Sequence, residues 1–221
     1  MIPVLTIDGP SGVGKGTVAN RIAHELDWNL LDSGAIYRAF ALAALKRNLQ
    51  VDNIDKLLDL AASLNLKFES DPGRNKLSIY LDNIEVSSEL RTEKTAELAS
   101  KFAMIGSLRE ALLIRQREFK KPPGLVADGR DMGTVVFIDA SFKVFLTANV
   151  QERARRRLKQ LQDKGIAGIL SQTLDEVTKR DERDASRKHS PLKPSKDALI
   201  IDTSNLTINE VVAKVMALVK A

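Results

Sequence analysis

Short, almost uninterrupted apolar runs punctuate the chain, and longer segments between them repeat their apolar residues at helical spacing. The runs at residues 4–8, 29–31, 125–127, 143–146 and 198–201 predict five strands. Their near-continuous hydrophobicity marks strands buried on both faces, as in a parallel sheet covered by helices. Four of them run into an aspartate, at Asp8, Asp32, Asp128 and Asp202. Helical spacing covers residues 15–26, 35–46, 93–119, 151–164, 174–188 and 208–219. The alternation predicts an α/β fold, a doubly wound five-stranded parallel sheet with helices on both faces. Ligands of such sheets bind beyond the carboxyl ends of the strands.

Residues 67–86 break this rhythm. Leu77-Ser78-Ile79-Tyr80-Leu81 alternates with period two, between the turn residues Asp71-Pro72-Gly73 and Asp82-Asn83. A small antiparallel β insert within one crossover accounts for it better than an irregular loop of that length. No internal repeat or low-complexity tract interrupts the chain, and residues 188–195 read as a loop before the last strand.

Composition narrows the function. A chain of 221 residues that is 43% hydrophobic can bury the core of one domain. No apolar run reaches the roughly 20 residues of a membrane span, and residues 1–7 lack the charged start of a leader. The absence of cysteine excludes disulfides, thiolate metal sites and cysteine nucleophiles, and suits a cytoplasmic protein. A net charge of +5 favours anionic partners without choosing among nucleic acid, acidic lipid and phosphorylated small molecules.

The first strand leads into Gly9-Pro10-Ser11-Gly12-Val13-Gly14-Lys15-Gly16-Thr17 and then a helix. Glycines let the backbone wrap a phosphate, amides and the helix N-terminus supply positive potential, and Lys15 reaches the β- and γ-oxygens. Gly16 stands where a Mg²⁺-binding hydroxyl usually follows the lysine, and Thr17 comes one residue late. Mg²⁺ must then rest mainly on nucleotide and water oxygens, with Asp128 as the candidate protein carboxylate. The G-K-G-T form resembles adenylate-kinase-like nucleotide kinases, and no Asn-Lys-x-Asp guanine signature occurs, so ATP is the expected donor.

Other segments carry candidate chemistry. Ser33 sits where an N-cap would open the helix bearing Tyr37 and Arg38, at a strand's carboxyl end. Arg130 and Asp131 form a charged pair between Gly129 and Gly133, where packing alone rarely needs one. Arg180, Asp184 and Arg187 are spaced i, i+4, i+7 and share a helix face, which alone would read as an exposed ion-pair ladder. The basic run 151–159 could be a solvated helix face or an RNA-binding patch.

Taken together, Leu31-Asp32-Ser33-Gly34-Ala35-Ile36-Tyr37-Arg38, Asp128-Gly129-Arg130-Asp131-Met132-Gly133, and Arg180-Asp181-Glu182-Arg183-Asp184 with Arg187 resemble bacterial cytidylate kinases. The resemblance runs over essentially the whole chain, insert included. It implies transfer of a phosphoryl group from ATP to CMP or dCMP by a cytoplasmic monomer that engages neither nucleic acid nor membrane. It also implies a core of residues 1–33, 106–150 and 166–221, an acceptor region 34–105 containing the insert, and a lid 151–165.

The residue roles come from the same resemblance. Arg130 and Arg187 meet the acceptor phosphate, Asp131 the cytosine edge, Ser100 and Arg109 the base, and Arg180 and Asp184 the sugar hydroxyls. Ser33, Tyr37 and Arg38 complete the acceptor site. Arg153 and Arg157 reach ATP from the lid, with Arg155 outside, so that Lys15, Arg130, Arg187, Arg153 and Arg157 form the catalytic set. Two alternatives stay open: a P-loop kinase for UMP or a non-nucleotide acceptor, and an RNA-binding ATPase. The latter calls for stacking aromatics along the basic helix, and residues 151–164 contain none.

Overall fold

Every residue of β1 (Val4–Asp8) is buried, as an unbroken apolar run at the centre of a two-sided sheet requires. β1 pairs in parallel with β6 (Leu125–Gly129) and β7 (Phe142–Thr147). β2 (Asn29–Asp32) adds beyond β6 and β8 (Leu199–Asp202) beyond β7, giving the order β2-β6-β1-β7-β8, all parallel. The computed structural model describes residues 1–71, 76–163, 165–186 and 190–220. The predicted turn at Pro72-Gly73, the residue Arg187 and the start of the loop at 188–195 thus lie outside, or partly outside, the described residues.

Alternate residues of the strands serve two cores. Leu5, Ile7, Val126, Val144 and Leu146 pack toward α1 (Lys15–Leu26) and α8 (Ile208–Lys220). Val4, Leu31, Leu125 and Ala127 pack on the other face toward α2 (Ser33–Lys46), α4 (Glu93–Phe102) and α5 (Gly106–Arg117). The sheet is therefore covered on both sides, as the hydrophobic runs required. Among the described residues no helix is long and apolar enough to cross a membrane.

The insert is the antiparallel sheet β3 (Leu66–Asp71), β4 (Lys76–Leu81) and β5 (Ile84–Glu85). Phe68 on β3 meets Phe119 beyond α5 at 5.2 Å between ring centroids, which ties the insert to the core. Three expectations need correction. α3 (Ile54–Ala62) occupies a stretch to which the pattern assigned no element, and buries Leu57, Leu60 and Ala61. The single helix expected over 93–119 is two helices, with a break at residues 103–105 before Gly106 opens α5. α6 (Val150–Gln162) matches its basic run, but α7 (Leu170–Ala185) starts earlier than predicted and is capped at Ser186, so its face extends through Asp184.

Candidate active site

The phosphate loop leaves β1 where only a residue without a side chain fits. Gly9 has φ 148°, and a Cβ there would lie 2.1 Å from the Leu146 carbonyl oxygen on β7. Lys15 opens α1 and is buried, its Nζ donating to the Pro10 carbonyl at 2.8 Å. Two braces hold the loop's own carbonyls. Arg153 Nη1 donates to the Ser11 oxygen at 3.2 Å, and Thr203 Oγ1 donates to the Val13 oxygen at 3.2 Å.

A cleft of about 840 Å³ opens beyond the strand ends. Ser11, Gly12, Gly14, Lys15, Gly16 and Thr17 of the loop line it. So do Ser33, Tyr37 and Arg38 of α2, Ser100 of α4, Arg109 of α5, Asp128, Arg130 and Asp131 after β6, Arg157 of α6, and Arg180 and Asp184 of α7. Ile79 of β4, with Ser87 and Leu90 just beyond the insert, completes one wall.

Of the predicted residues, Gly9, Pro10, Val13 and Arg153 are not among those lining the cleft. The guanidinium of Arg153 is committed elsewhere: besides Ser11 it donates to the Ala148 oxygen at 3.1 Å and pairs with Asp181 of α7 at 2.5 Å. It braces the phosphate loop, whereas Arg157, one turn on, borders the cleft. Arg155 is exposed and outside the cleft.

The polar partners divide the cleft into zones. Asp131 pairs with Arg109 at 2.5 Å, both side chains being about nine-tenths buried (10% and 8% exposed). Arg109 also donates to the Ala103 oxygen, and its Cζ lies 5.8 Å from the centre of the Tyr37 ring. Arg130 Nε donates to Asp184 Oδ2 at 2.9 Å. The buried Nε of Arg38 has no hydrogen-bond partner among the described residues, and the same guanidinium reaches Asp32 at 3.4 Å. A buried guanidinium N–H left unmatched is costly, and an anion in the cleft would satisfy it.

Charge crowding shifts the titratable groups. Burial, and then the Arg130 guanidinium, pushes Lys15 down to about 7. Burial pushes Asp128 up to about 6 despite the nearby Lys15, with the Asp32 charge adding to the rise. Burial, with Arg130 beside it, pushes Arg180 down to about 10. A cluster of cations strained against one another in this way is built for a polyanion.

Four residues with roles here were missed by sequence reasoning. Asp32, not Ser33, caps α2: its Oδ1 accepts from the Ala35 N–H at 2.8 Å, and Ser33 is the first helical residue. Ser33 Oγ instead donates to Gln116 Oε1 of α5 at 2.7 Å, so Gln116 fixes its hydroxyl. Asp181 holds Arg153, and Asp8 accepts from the backbone after Asp131. The strand-end aspartates were signal enough for Asp32 and Asp8, and Asp181 stands inside the Arg180–Asp184 segment without a role of its own; Gln116 left none.

A loop shaped for a nucleotide's phosphates and a second cation cluster sharing its cleft, on a doubly wound parallel sheet, place the chain in the class of P-loop kinases. Its sequence matches the family described as cytidylate kinase over residues 5–221, and the chain belongs to that family. It is 52% identical over 219 residues to a cytidylate kinase of Shewanella denitrificans, covering 99% of this chain and 96% of the relative. It is 51% identical over 217 residues to a cytidylate kinase of Aeromonas salmonicida, covering 98% and 94%. The crystal structure of an uncharacterized protein from Eubacterium ventriosum shares the fold at 14% identity, with a TM-score of 0.50 over 100% of this chain and 99% of that one.

Proposed function

We propose that the protein transfers the γ-phosphoryl group of ATP to CMP or dCMP, giving ADP and CDP or dCDP. The observation that carries this reading is the buried Arg109–Asp131 pair in the same cleft as the phosphate loop. A kinase for a small hydroxylated acid has no use for it. An ionised aspartate with one oxygen engaged by Arg109 keeps the other as an acceptor, which suits the N4 amino group of cytosine. Family membership supports the same substrate.

Transfer to a phosphate oxygen needs no strong base, because the acceptor is already an anion. An oxygen of the CMP phosphate forms a bond to the γ-phosphorus of ATP while the bond to the β–γ bridging oxygen breaks, and ADP leaves with that electron pair. The protein's task is to align two polyanions and neutralise the charge spreading over the transferring group. Lys15 and the loop amides take the ATP phosphates. Arg38 and Arg130 take the acceptor phosphate, joined by Arg187. Arg157 approaches the transferring group, and Arg153 acts through the phosphate loop it braces. Arg180 and Asp184 take the sugar, and Ser33, Tyr37, Ser100 and Arg109 frame the base with Asp131.

Mg²⁺ supplies charge neutralisation and orientation of the phosphates in such a site. The oxygen donors fit a hard cation: Asp128 lines the cleft, and its carboxyl, raised by burial, would ionise beside one. In this reading the protein acts as a monomer. Residues 34–105 form the acceptor region and 151–165 the lid over a core of the remainder, and closure excludes water from the transfer. A coupled assay of ADP formation with CMP, dCMP, UMP, AMP and GMP as acceptors tests the proposal. Turnover should be fastest with CMP and dCMP, and equal or faster turnover with a purine nucleotide overturns it.

A further inference from the structure

Asp8 ends β1, immediately before the phosphate loop, yet its carboxylate serves another segment. Oδ1 accepts from the Met132 N–H and Oδ2 from the Gly133 N–H, each at 2.8 Å. Asp8 is buried and is not among the residues lining the cleft. The two N–H groups open a π-helical turn, Met132–Val136, and the residue just before that turn is Asp131. Within the turn, the Val135 and Val136 N–H groups return to the Asp131 carbonyl at 2.9 and 3.2 Å. The first donors of the turn are thus held by β1, and its last by the residue that faces Arg109.

The fit of this turn against the sheet is close. A Cβ at Gly133 would lie 2.9 Å from Thr6 Oγ1, 3.3 Å from Lys143 Cδ and 3.4 Å from Asp8 Oδ2. Thr6 and Asp8 share one face of β1, and Lys143 is the register partner of Thr6 on β7. The turn can therefore approach the carboxylate only because position 133 has no side chain. A carboxylate without its hydrogen bonds would be costly in such a place, and its two oxygens are matched one to one with two N–H groups that the turn itself leaves unpaired.

We propose that Asp8 is a positioning residue for base selection. It holds the turn that fixes Asp131, and so decides which pyrimidine the site accepts without touching either nucleotide. The inference rests on the reading of Asp131 as the acceptor for cytosine. Since Asp8 is joined to the phosphate loop in sequence, a merely structural role would disturb ATP binding or overall stability instead.

Two variants separate these cases. Asp8→Asn keeps the shape but sets an NH₂ group against one of the two backbone donors. Gly133→Ala leaves Asp8 intact and pushes the same turn off Thr6. For the wild type and both variants, kcat/KM for CMP and UMP, KM for ATP, and melting temperature with CMP or ATP added would be measured. In both variants KM for CMP should rise about tenfold and the CMP:UMP preference shrink about tenfold, because small misplacements of a recognition group are expensive. KM for ATP should stay within about twofold, and the melting shift given by CMP should shrink while that given by ATP persists. A wild type that discriminates between the bases, with variants that keep its ratio, overturns this inference alone, as does a loss confined to KM for ATP. A wild type indifferent to the base overturns the reading of Asp131 and this inference with it. Should Asp8→Asn fail to fold, the ratio of Gly133→Ala decides.

Discussion

Lys15 combines a buried ammonium with a place in the phosphate loop, and its titration near 7 ties nucleotide binding to proton uptake. Polyphosphate beside it favours the charged form and returns the group toward its ordinary value of about 10.4. Below pH 7 the free protein already carries the proton; above it, binding must draw one from solution. With a free value of about 7, roughly nine-tenths of Lys15 is neutral at pH 8, so binding ATP there should take up about 0.9 proton. Between pH 7 and pH 9 the affinity should fall about fiftyfold, equivalent to about 2 kcal/mol. Calorimetric titration at pH 8 in two buffers of different ionisation enthalpy gives the proton number directly. The nucleotide's own phosphate, with a second pKa of about 6, is already ionised there and does not contribute. Lys15→Met should bind more weakly, take up a smaller fraction of a proton and show a shallower fall of affinity with pH, because Asp8, pushed up to about 7 by burial, still titrates nearby. Proton uptake near zero in the wild type, or an equal uptake in Lys15→Met, would refute the reasoning.

Removing the Asp184 carboxylate deprives Arg130 of its 2.9 Å partner, so Asp184→Ala should lower kcat/KM for CMP by about a hundredfold with KM for ATP little changed. Steady-state kinetics in both substrates checks this, and a loss confined to ATP would put α7 on the wrong side of the site. In the wild type CMP should be preferred over UMP by about a hundredfold or more, since uracil sets a carbonyl against the Asp131 carboxylate. Asp131→Asn should narrow that ratio chiefly by losing CMP activity, and an unmoved ratio in the same assay would mean another group reads the base. Arg153→Met breaks a pair with one member 6% and the other 25% exposed, and should cost about 2–3 kcal/mol in denaturant unfolding after allowance for that exposure. Arg157→Met should leave stability nearly unchanged and lower kcat, so equal unfolding midpoints for the two variants would erase the distinction between brace and cleft residue.

The sheet could be read from the chain because its strands are buried on both faces, and such burial leaves a run of apolar residues that nothing else explains. Residues 54–62 escaped because α3 spans only nine residues, although Ile54, Leu57, Leu58, Leu60 and Ala61 give it an apolar face and Asn53 before them marks a start. The break before Gly106 was hidden by helical spacing on either side of it. In the site, the phosphate loop is local in sequence and announces itself. The supports are not local: Gln116 meets Ser33 across 83 positions, Asp8 meets Met132 across 124 and Arg153 meets Ser11 across 142. Such pairs exist only because the strand order brings distant segments side by side, and no spacing rule along one chain encodes that. The choice of Asp32 over Ser33 as cap was a one-residue matter, within the ordinary uncertainty of helix ends.

α6 is pinned to the phosphate loop through its first turns and packs along α7. Its first turns hold Arg153 on the phosphate loop and Arg156 on Thr203, while Gln160 and Asp163 near its far end reach the cleft. A rod of 13 residues is about 20 Å long, with Arg157 about 6 Å and Asp163 about 15 Å from the pivot at Arg153. A tilt of about 10° moves Asp163 by about 2.6 Å but Arg157 by only about 1 Å. For any tilt about that pivot Arg157 moves only about two-fifths as far as Asp163, so the helix end can shift by a few ångströms while the arginine beside the brace keeps its place to about 1 Å.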